Sequence, residues 1–96
     1  MISTTTKTIK KEQISSLAFI GTNDVLDNEV AKSKRKSDLY RAMILGNVYH
    51  VKCKLVFVSD DKIYKVDTTV WASTDNYVTL KGGTIIPVNS ILEVIL

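Results

Sequence analysis

The sequence predicts a mainly β domain in which N-terminal helices precede a five-stranded antiparallel small barrel. Three observations lead to this prediction. Apolar residues recur at helical spacing before Gly46 and alternate with polar residues after it. Short polar turns divide the second half into five strand-like segments. The chain of 96 residues has room for one core, and closing five bent strands into a barrel covers one sheet face and limits exposed edges.

The chain divides into three parts within that single domain. Residues 1–9 are rich in Thr, and we expect them to be flexible. Residues 10–46 form a helical region that packs on the barrel, and residues 47–96 form the barrel itself. Ten of the 13 Lys and Arg residues precede residue 55, so the positive charge gathers before and at the start of the strand-rich part.

The helical region begins with a short apolar stripe. Its members, at i, i+3 and i+4, are Ile14, Leu17 and Ala18. Gly21 is expected to end this first helix in a left-handed conformation, and Asp24 can start a second segment. A helix either passes through the basic run 32–36 or breaks there, and the sequence leaves both possibilities open.

A further helix is predicted before the first strand. Its apolar face consists of Leu39, Ala42 and Met43. Ser37 or Asp38 can cap its first turn by accepting a backbone N–H. Gly46 is expected to end this helix, and Asn47 then turns the chain outward.

From Val48 onward the apolar pattern alternates, which predicts a strand over residues 48–58. Its inner face is formed by Tyr49, Val51, Cys53, Leu55 and Phe57. The polar residues 59–62 predict a hairpin turn, and a return strand follows over 63–74 with a bend at 68–69. On this return strand Tyr64, Val66, Val70 and Ala72 share one face, whereas Ile63 and Trp71 share the other.

Three short strands complete the barrel, over residues 77–80, 84–88 and 91–96. Gly82 and Gly83 predict a tight hairpin turn, because glycine readily adopts a positive φ. Pro87 has no backbone donor and therefore belongs on an edge or at a strand end. Residues 89–90 make a one-turn connection to the last strand.

The second half resembles known small barrels. Residues 83–94 resemble the end of an SH3 domain, in which a strand, a Pro-led 3₁₀ turn and a last strand follow each other. The stretch Val-Thr-Leu-Lys-Gly-Gly at 78–83 resembles the second signature of Sm-like RNA-binding barrels. The whole run 39–96 is similar to small uncharacterised bacterial proteins with a Leu-Gly-Asn turn, a Thr-Thr-Val-Trp strand and a Leu-Lys-Gly-Gly to Ile-Pro ending, here at 45–47, 68–71 and 80–87. The resemblance implies an SH3-like or Sm-like barrel and no particular activity.

The sequence predicts a cytoplasmic protein without a membrane partner. Cys53 is the single cysteine, so the chain cannot form an intramolecular disulfide, and a lone thiol suits a reducing cytosol. The N-terminus lacks the apolar stretch of a signal peptide, and no apolar run is long enough to span a bilayer. We expect the Cys53 side chain to be buried and inert.

The sequence also predicts that the protein is not an enzyme and holds no metal or cofactor. His50 and Cys53 are three residues apart on the predicted strand, so they point to opposite faces and cannot act as base and nucleophile. One His and one Cys cannot fill a tetrahedral zinc site. Asp60, Asp61 and Asp67 are interpreted as part of a solvated hairpin, because no oxygen-rich loop of calcium-site spacing surrounds them.

The basic residues point to a nucleic-acid-binding module, with RNA as the expected ligand. The net charge is +3, and clustered cations attract phosphate backbones. The candidate patch combines Lys32, Lys34, Arg35, Lys36 and Arg41 of the helical region with His50, Lys52 and Lys54 on the solvated face of the first strand. Trp71 is the candidate for stacking on bases.

Two alternatives to this interpretation remain open. The basic run can be ordinary solvated surface. The face of Ile63 and Trp71 can line a subunit contact, in which case the protein is a protein-interaction or oligomerisation module that uses its edge strands. The apolar helix face of residues 39–43 is the economical cover for Trp71, because both surfaces would then be buried within one chain. The oligomeric state is not set by the sequence.

Overall fold

A computed structural model describes residues 5–19 and 23–96, and over these residues the protein consists of two β-sheets and one α-helix. The helix α1 spans Glu29–Tyr49, and 3₁₀ turns span Lys11–Ser16 and Val88–Ser90. The strands in chain order are β1 (Thr6–Thr8), β2 (Cys53–Ser59), β3 (Lys62–Thr68), β4 (Val70–Ser73), β5 (Tyr77–Leu80), β6 (Ile85–Pro87) and β7 (Ile91–Ile95). The mainly β class is therefore confirmed.

The strands form a four-stranded sheet in the order β1-β3-β2-β7 and a three-stranded sheet in the order β4-β5-β6. Only the short β1 runs parallel to its neighbour among the strands of residues 5–19 and 23–96. Hydrogen bonding within these same ranges does not join the two sheets into a closed barrel. The sequence predicts a flexible terminus at β1 and no strand, because the three residues of β1 are all polar and show no alternation.

The helical region differs from the prediction at both ends. The prediction of helices at the N-terminus is wrong for the described residues, because the first helical element is a 3₁₀ turn and α1 begins only at Glu29. The side chain of Asn28 caps α1 by accepting the backbone N–H of Ala31 at 2.8 Å. The helix then passes through the basic run 32–36 without a break. Gly21, the predicted end of a first helix, lies outside the described residues.

Gly46 lies inside α1 instead of ending it, and the strand predicted from Val48 begins only at Cys53. The helix ends at Tyr49, and His50 adopts the left-handed conformation with φ 56°. The reason for the glycine is packing, because a Cβ at Gly46 would lie 2.4 Å from the carbonyl oxygen of Val70. The glycine therefore allows the helix to approach β4 closely.

The predicted return strand is divided into β3 and β4 at Thr69, where the sequence analysis places a bend. The register then shifts on β4, since Val70 pairs with Leu80 whereas Ala72 pairs with Thr79. Trp71 is the extra residue of this bulge, and both Trp71 and Ala72 are exposed. The prediction of an inward-facing Ala72 is wrong because the bulge interrupts the alternation.

The core lies between the two sheets and α1. The predicted inward positions Cys53, Leu55 and Phe57 of β2 are buried, as are Val66 and Val70 after the hairpin. The prediction is wrong for Tyr49 and Val51, which are exposed because they belong to the end of α1 and the loop after it.

The apolar face of α1 covers part of the sheet surface that the sequence predicts it to cover. Leu39 and Ala42 are buried, and α1 packs against β4 and β7. The side chain of Asn47 on α1 donates to the carbonyl oxygen of Trp71 at 2.9 Å, but Trp71 nevertheless remains 46% exposed. The Trp71 surface is therefore open to solvent within one chain.

Candidate nucleic-acid interface

The basic residues of α1 do not form one surface. Successive residues of an α-helix are 100° apart, so Lys32, Arg35 and Lys36, at i, i+3 and i+4, share one side of α1, whereas Lys34 points to another side. Three of them form ion pairs, namely Lys32 with Glu29 at 3.5 Å, Lys34 with Asp38 at 2.6 Å and Lys36 with Asp75 at 3.5 Å. The charges of this run are therefore divided between two sides of the helix, and each has a carboxylate partner.

Arg35 holds the helix to the rest of the protein. Its guanidinium donates to both carboxylate oxygens of Asp24, at 2.8 and 2.6 Å, and to the carbonyl oxygen of Ile91 at 3.0 Å. The hydrogen bond from Arg35 lowers the pKa of Asp24, assisted by the backbone N–H of Leu26 and opposed by partial burial. The Arg35 side chain is only 6% exposed. Its assignment to an exposed binding patch is therefore wrong.

The other predicted site residues are dispersed. Arg41 is exposed on α1, and His50 is exposed at the end of that helix. Lys54 lies on β2 between its strand partners Asp67 and Ile95. Trp71 lies on the other sheet. Lys32, Arg35 and Lys36 line a small cleft together with Asp75. Lys52 is the one predicted cation in the lining of a larger cleft that contains three further lysines.

This cleft, which we call the lysine cleft, has a volume of about 310 Å³. It lies where the segment after β1 meets the β3–β4 bend and the β5–β6 turn. Its lining residues are Thr8, Ile9, Lys10, Lys11, Glu12, Lys52, Asp67, Thr68, Thr69 and Lys81. The lining thus contains four lysines and two carboxylates.

The walls of the lysine cleft are held together by backbone contacts. The N–H of Lys81 donates to the carbonyl oxygen of Thr69 at 2.9 Å, which fixes the β5–β6 turn against the bend. The N–H of Ile9 donates to the carbonyl oxygen of Lys65 at 2.9 Å, which fixes the other wall on β3. The ammonium of Lys11 lies over Gly82, 3.6 Å from the position of a Cβ there. These contacts hold the backbone of both walls in place.

The lysines of the cleft carry charges that the protein does not neutralise directly. None of Lys10, Lys11, Lys52 and Lys81 forms an ion pair with a carboxylate of residues 5–19 or 23–96. By contrast, Lys32, Lys34 and Lys36 of α1 each form an ion pair with a carboxylate. Ammonium groups that line one cleft without ion-pair partners can bind an anion such as a phosphate group.

Sequence reasoning missed three of the four cleft lysines. Lys10 and Lys11 are 71 and 70 residues from Lys81 along the chain, and only the fold brings them together. One signal was available, because Lys81 lies in the stretch 78–83 that resembles an RNA-binding signature.

The groups that could support catalysis are separated. Cys53 is buried, as predicted, and burial followed by the charge of Asp67 raises the pKa of its thiol to about 11. His50 is exposed at the end of α1. In the part of the chain that the structure describes, no three His, Cys, Asp or Glu side chains are grouped to hold a metal ion.

Comparisons with protein-family models, with curated proteins and with solved structures found no match. Within residues 5–19 and 23–96, no helix has the length and hydropathy required to cross a membrane. The functional conclusion therefore depends on the geometry of the site itself.

Proposed function

We propose that the protein is a non-enzymatic binding module for nucleic acid, with RNA as its ligand, and that the lysine cleft is the binding site. One contrast carries this proposal. The cleft gathers four lysines without carboxylate partners, whereas Lys32, Lys34, Arg35 and Lys36 of α1 are each paired. The expectation of a cytoplasmic location still depends on the single cysteine of the sequence.

The electrostatics of the cleft suit a polymer of phosphates. A protein that contacts several phosphates releases condensed counterions, and this release supplies most of the affinity for a polynucleotide. The cleft lysines come from three separate segments, at 10–11, 52 and 81, so the fold brings three parts of the chain to one cleft. The resemblance of 78–83 to an RNA-binding signature supports RNA as the ligand.

The proposal extends to the barrel architecture. Only Thr69 separates β3 from β4, so the two strands correspond to one strand that bends from the first sheet into the second. β2 pairs with β7, and a 3₁₀ turn links β6 to β7. We infer that the two sheets are the halves of an SH3-like or Sm-like barrel with α1 packed along the opening. These features support the inference without closing the barrel.

A titration tests the proposed function. A fluorescein-labelled uridine decamer is titrated with the protein, and anisotropy is recorded between 20 and 300 mM salt, roughly the range over which counterion release is resolved. We expect log K to fall linearly with log salt, with a slope of about −0.7 for each phosphate contacted. Absence of binding at the lowest salt, or binding that does not depend on salt, would contradict the proposal.

A second candidate function is protein interaction. Tyr40, Ile44 and Val48 recur at i, i+4 and i+8 on α1 and are all exposed. An apolar row of this kind is typical of a contact surface. A dimer mass in light scattering that Ile44→Glu reduces to the monomer mass would favour this function, and a monomer mass in the unmodified protein would exclude self-association.

A further inference from the structure

The outer face of the three-stranded sheet is apolar and aromatic. Its strands β4, β5 and β6 contain no charged residue. Trp71, Tyr77 and Ile85 are 46%, 53% and 52% exposed on these strands. Large exposed apolar surfaces on a small protein usually mark a binding surface.

The strand register brings these side chains together. Thr79 of β5 pairs with Ala72 on one side and with Ile85 on the other, while Tyr77 pairs with Pro87. The bulge at Trp71 leaves it exposed beside Ala72. Because Tyr77 is two residues from Thr79 on one strand, the two aromatic positions are separated by about 6.6 Å along the strand direction.

This outer face adjoins the lysine cleft. Lys81 follows Thr79 by two residues and lies in the cleft lining. Thr69 also lines the cleft, accepts the Lys81 N–H and precedes Trp71 by two residues. Along β5 from its C-terminal end, the lysine cleft therefore comes first, then Trp71 and then Tyr77.

We propose that the ligand is single-stranded nucleic acid, whose phosphates lie in the lysine cleft and whose bases stack on Trp71 and Tyr77. This inference rests on the proposed function and narrows its ligand class. A positively charged groove beside aromatic side chains binds single strands with little sequence preference, because every base has a stacking face. A duplex keeps its bases inside and can use the cleft only. The uncharged sheet surface matches the uncharged bases, as the cleft matches the phosphates.

Three probes of equal length test the inference. The probes are a uridine decamer, an abasic decamer with the same backbone and a ten-base-pair RNA duplex. Trp71 is the single tryptophan, so its intrinsic fluorescence reports on stacking directly. We expect the uridine decamer to quench this fluorescence, and the abasic decamer to bind more weakly without quenching.

Two variants measure the contribution of each aromatic residue. Trp71→Leu and Tyr77→Leu are each expected to weaken binding of a labelled uridine decamer by about 5- to 150-fold, the range for one base stacked on one aromatic side chain. Tyr49→Leu, another exposed aromatic position, is the matched control and should bind as the unmodified protein does. Because Trp71 and Tyr77 are exposed, both variants are expected to fold, which circular dichroism verifies.

The outcomes separate the inference from the proposed function. The inference is wrong if the decamer binds with strong salt dependence but both leucine variants bind it as tightly as the unmodified protein does. It is also wrong if the duplex binds as tightly as the decamer. In either case the proposal that the lysine cleft binds nucleic acid stands. If none of the probes binds at low salt, both the inference and the proposed function are wrong. A dimer mass that Trp71→Leu abolishes, without any binding of the decamer, would assign the sheet face to protein contact instead.

Discussion

Gly46 shows how one residue sets the distance between α1 and the three-stranded sheet. Its absent side chain would meet the carbonyl oxygen of Val70 at 2.4 Å and the methyl carbon of Thr69 at 2.9 Å. The first contact is with backbone, which cannot rotate away as a side chain can. Helical glycine is unfavourable by roughly 1 kcal/mol relative to alanine, so the close contact with β4, and not helix propensity, accounts for a glycine at this position.

Replacement of Gly46 by alanine is therefore expected to destabilise the protein. The strain of inserting a methyl group into a packed contact costs about 1–3 kcal/mol, which exceeds the gain in helix propensity. Urea unfolding followed by circular dichroism measures the change. Ser33→Ala, at an exposed position of α1, is the control and should leave the free energy of unfolding nearly unchanged. A stabilised Gly46→Ala protein would show that the helix lies farther from β4.

Cys53 is the second residue with a measurable consequence. Burial raises the pKa of its thiol to about 11, so the reactive thiolate is scarce at pH 8. We expect labelling by a thiol reagent to be slower than that of free cysteine by at least about a hundredfold, and to become fast when urea unfolds the protein. Native-state labelling at the rate of free cysteine would contradict the burial of this side chain.

At the scale of elements, the Asp24–Arg35 pair fastens α1 to the segment before it and to β7. Both partners are mostly buried, so removal of the carboxylate would leave the guanidinium charge without compensation. This contact explains why a residue within the basic run of α1 is structural. The sequence did not indicate the pairing, because the two partners are eleven residues apart with an irregular segment between them.

The pair predicts a pH dependence of stability. Because the pKa of Asp24 is lowered in the folded protein, its contribution is complete above the ordinary Asp pKa of 3.8 and is lost as pH falls through the lowered value. Asp24→Asn is expected to cost about 3 kcal/mol at pH 7. Urea unfolding at pH 7 and pH 3 should show a difference between the two proteins that shrinks at the lower pH.

The control for this experiment is Asp27→Asn, which changes an exposed carboxylate close in sequence. It should leave stability nearly unchanged at both pH values. The measured quantity is the difference in the free energy of unfolding between the unmodified protein and Asp24→Asn. If this difference stays constant or grows as pH falls, the carboxylate does not stabilise the folded state in its charged form.

Some elements could be predicted from the sequence and others could not, for physical reasons. The alternation of β2 and the bend near Thr69 are local patterns, and both are found. The bulge at Trp71 depends on pairing with β5, and the close approach at Gly46 depends on β4. Neither partner is visible in the local sequence, so Gly46 resembles a helix end although it lies within the helix.

At the scale of the whole molecule, the candidate site depends on residues that only the fold assembles. The sequence points to the densest basic run, but charge density along a chain does not reveal which charges have partners. In the structure the run on α1 is paired, while lysines from three distant segments remain unpaired around the cleft. Of the predicted patch, Lys52 alone contributes to this arrangement, and Trp71 lies on the adjoining sheet face.

We propose that the lysine cleft, and not the basic run of α1, binds nucleic acid. Two double variants that each remove two positive charges test it directly: Lys52→Gln with Lys81→Gln in the cleft, and Lys34→Gln with Lys36→Gln on the helix. In anisotropy titrations of the uridine decamer, we expect the cleft variant to bind about tenfold more weakly, with a log–log salt slope reduced by about 1.4. The helix variant should remain close to the unmodified protein. Equal losses in both variants, or a larger loss in the helix variant, would contradict the claim.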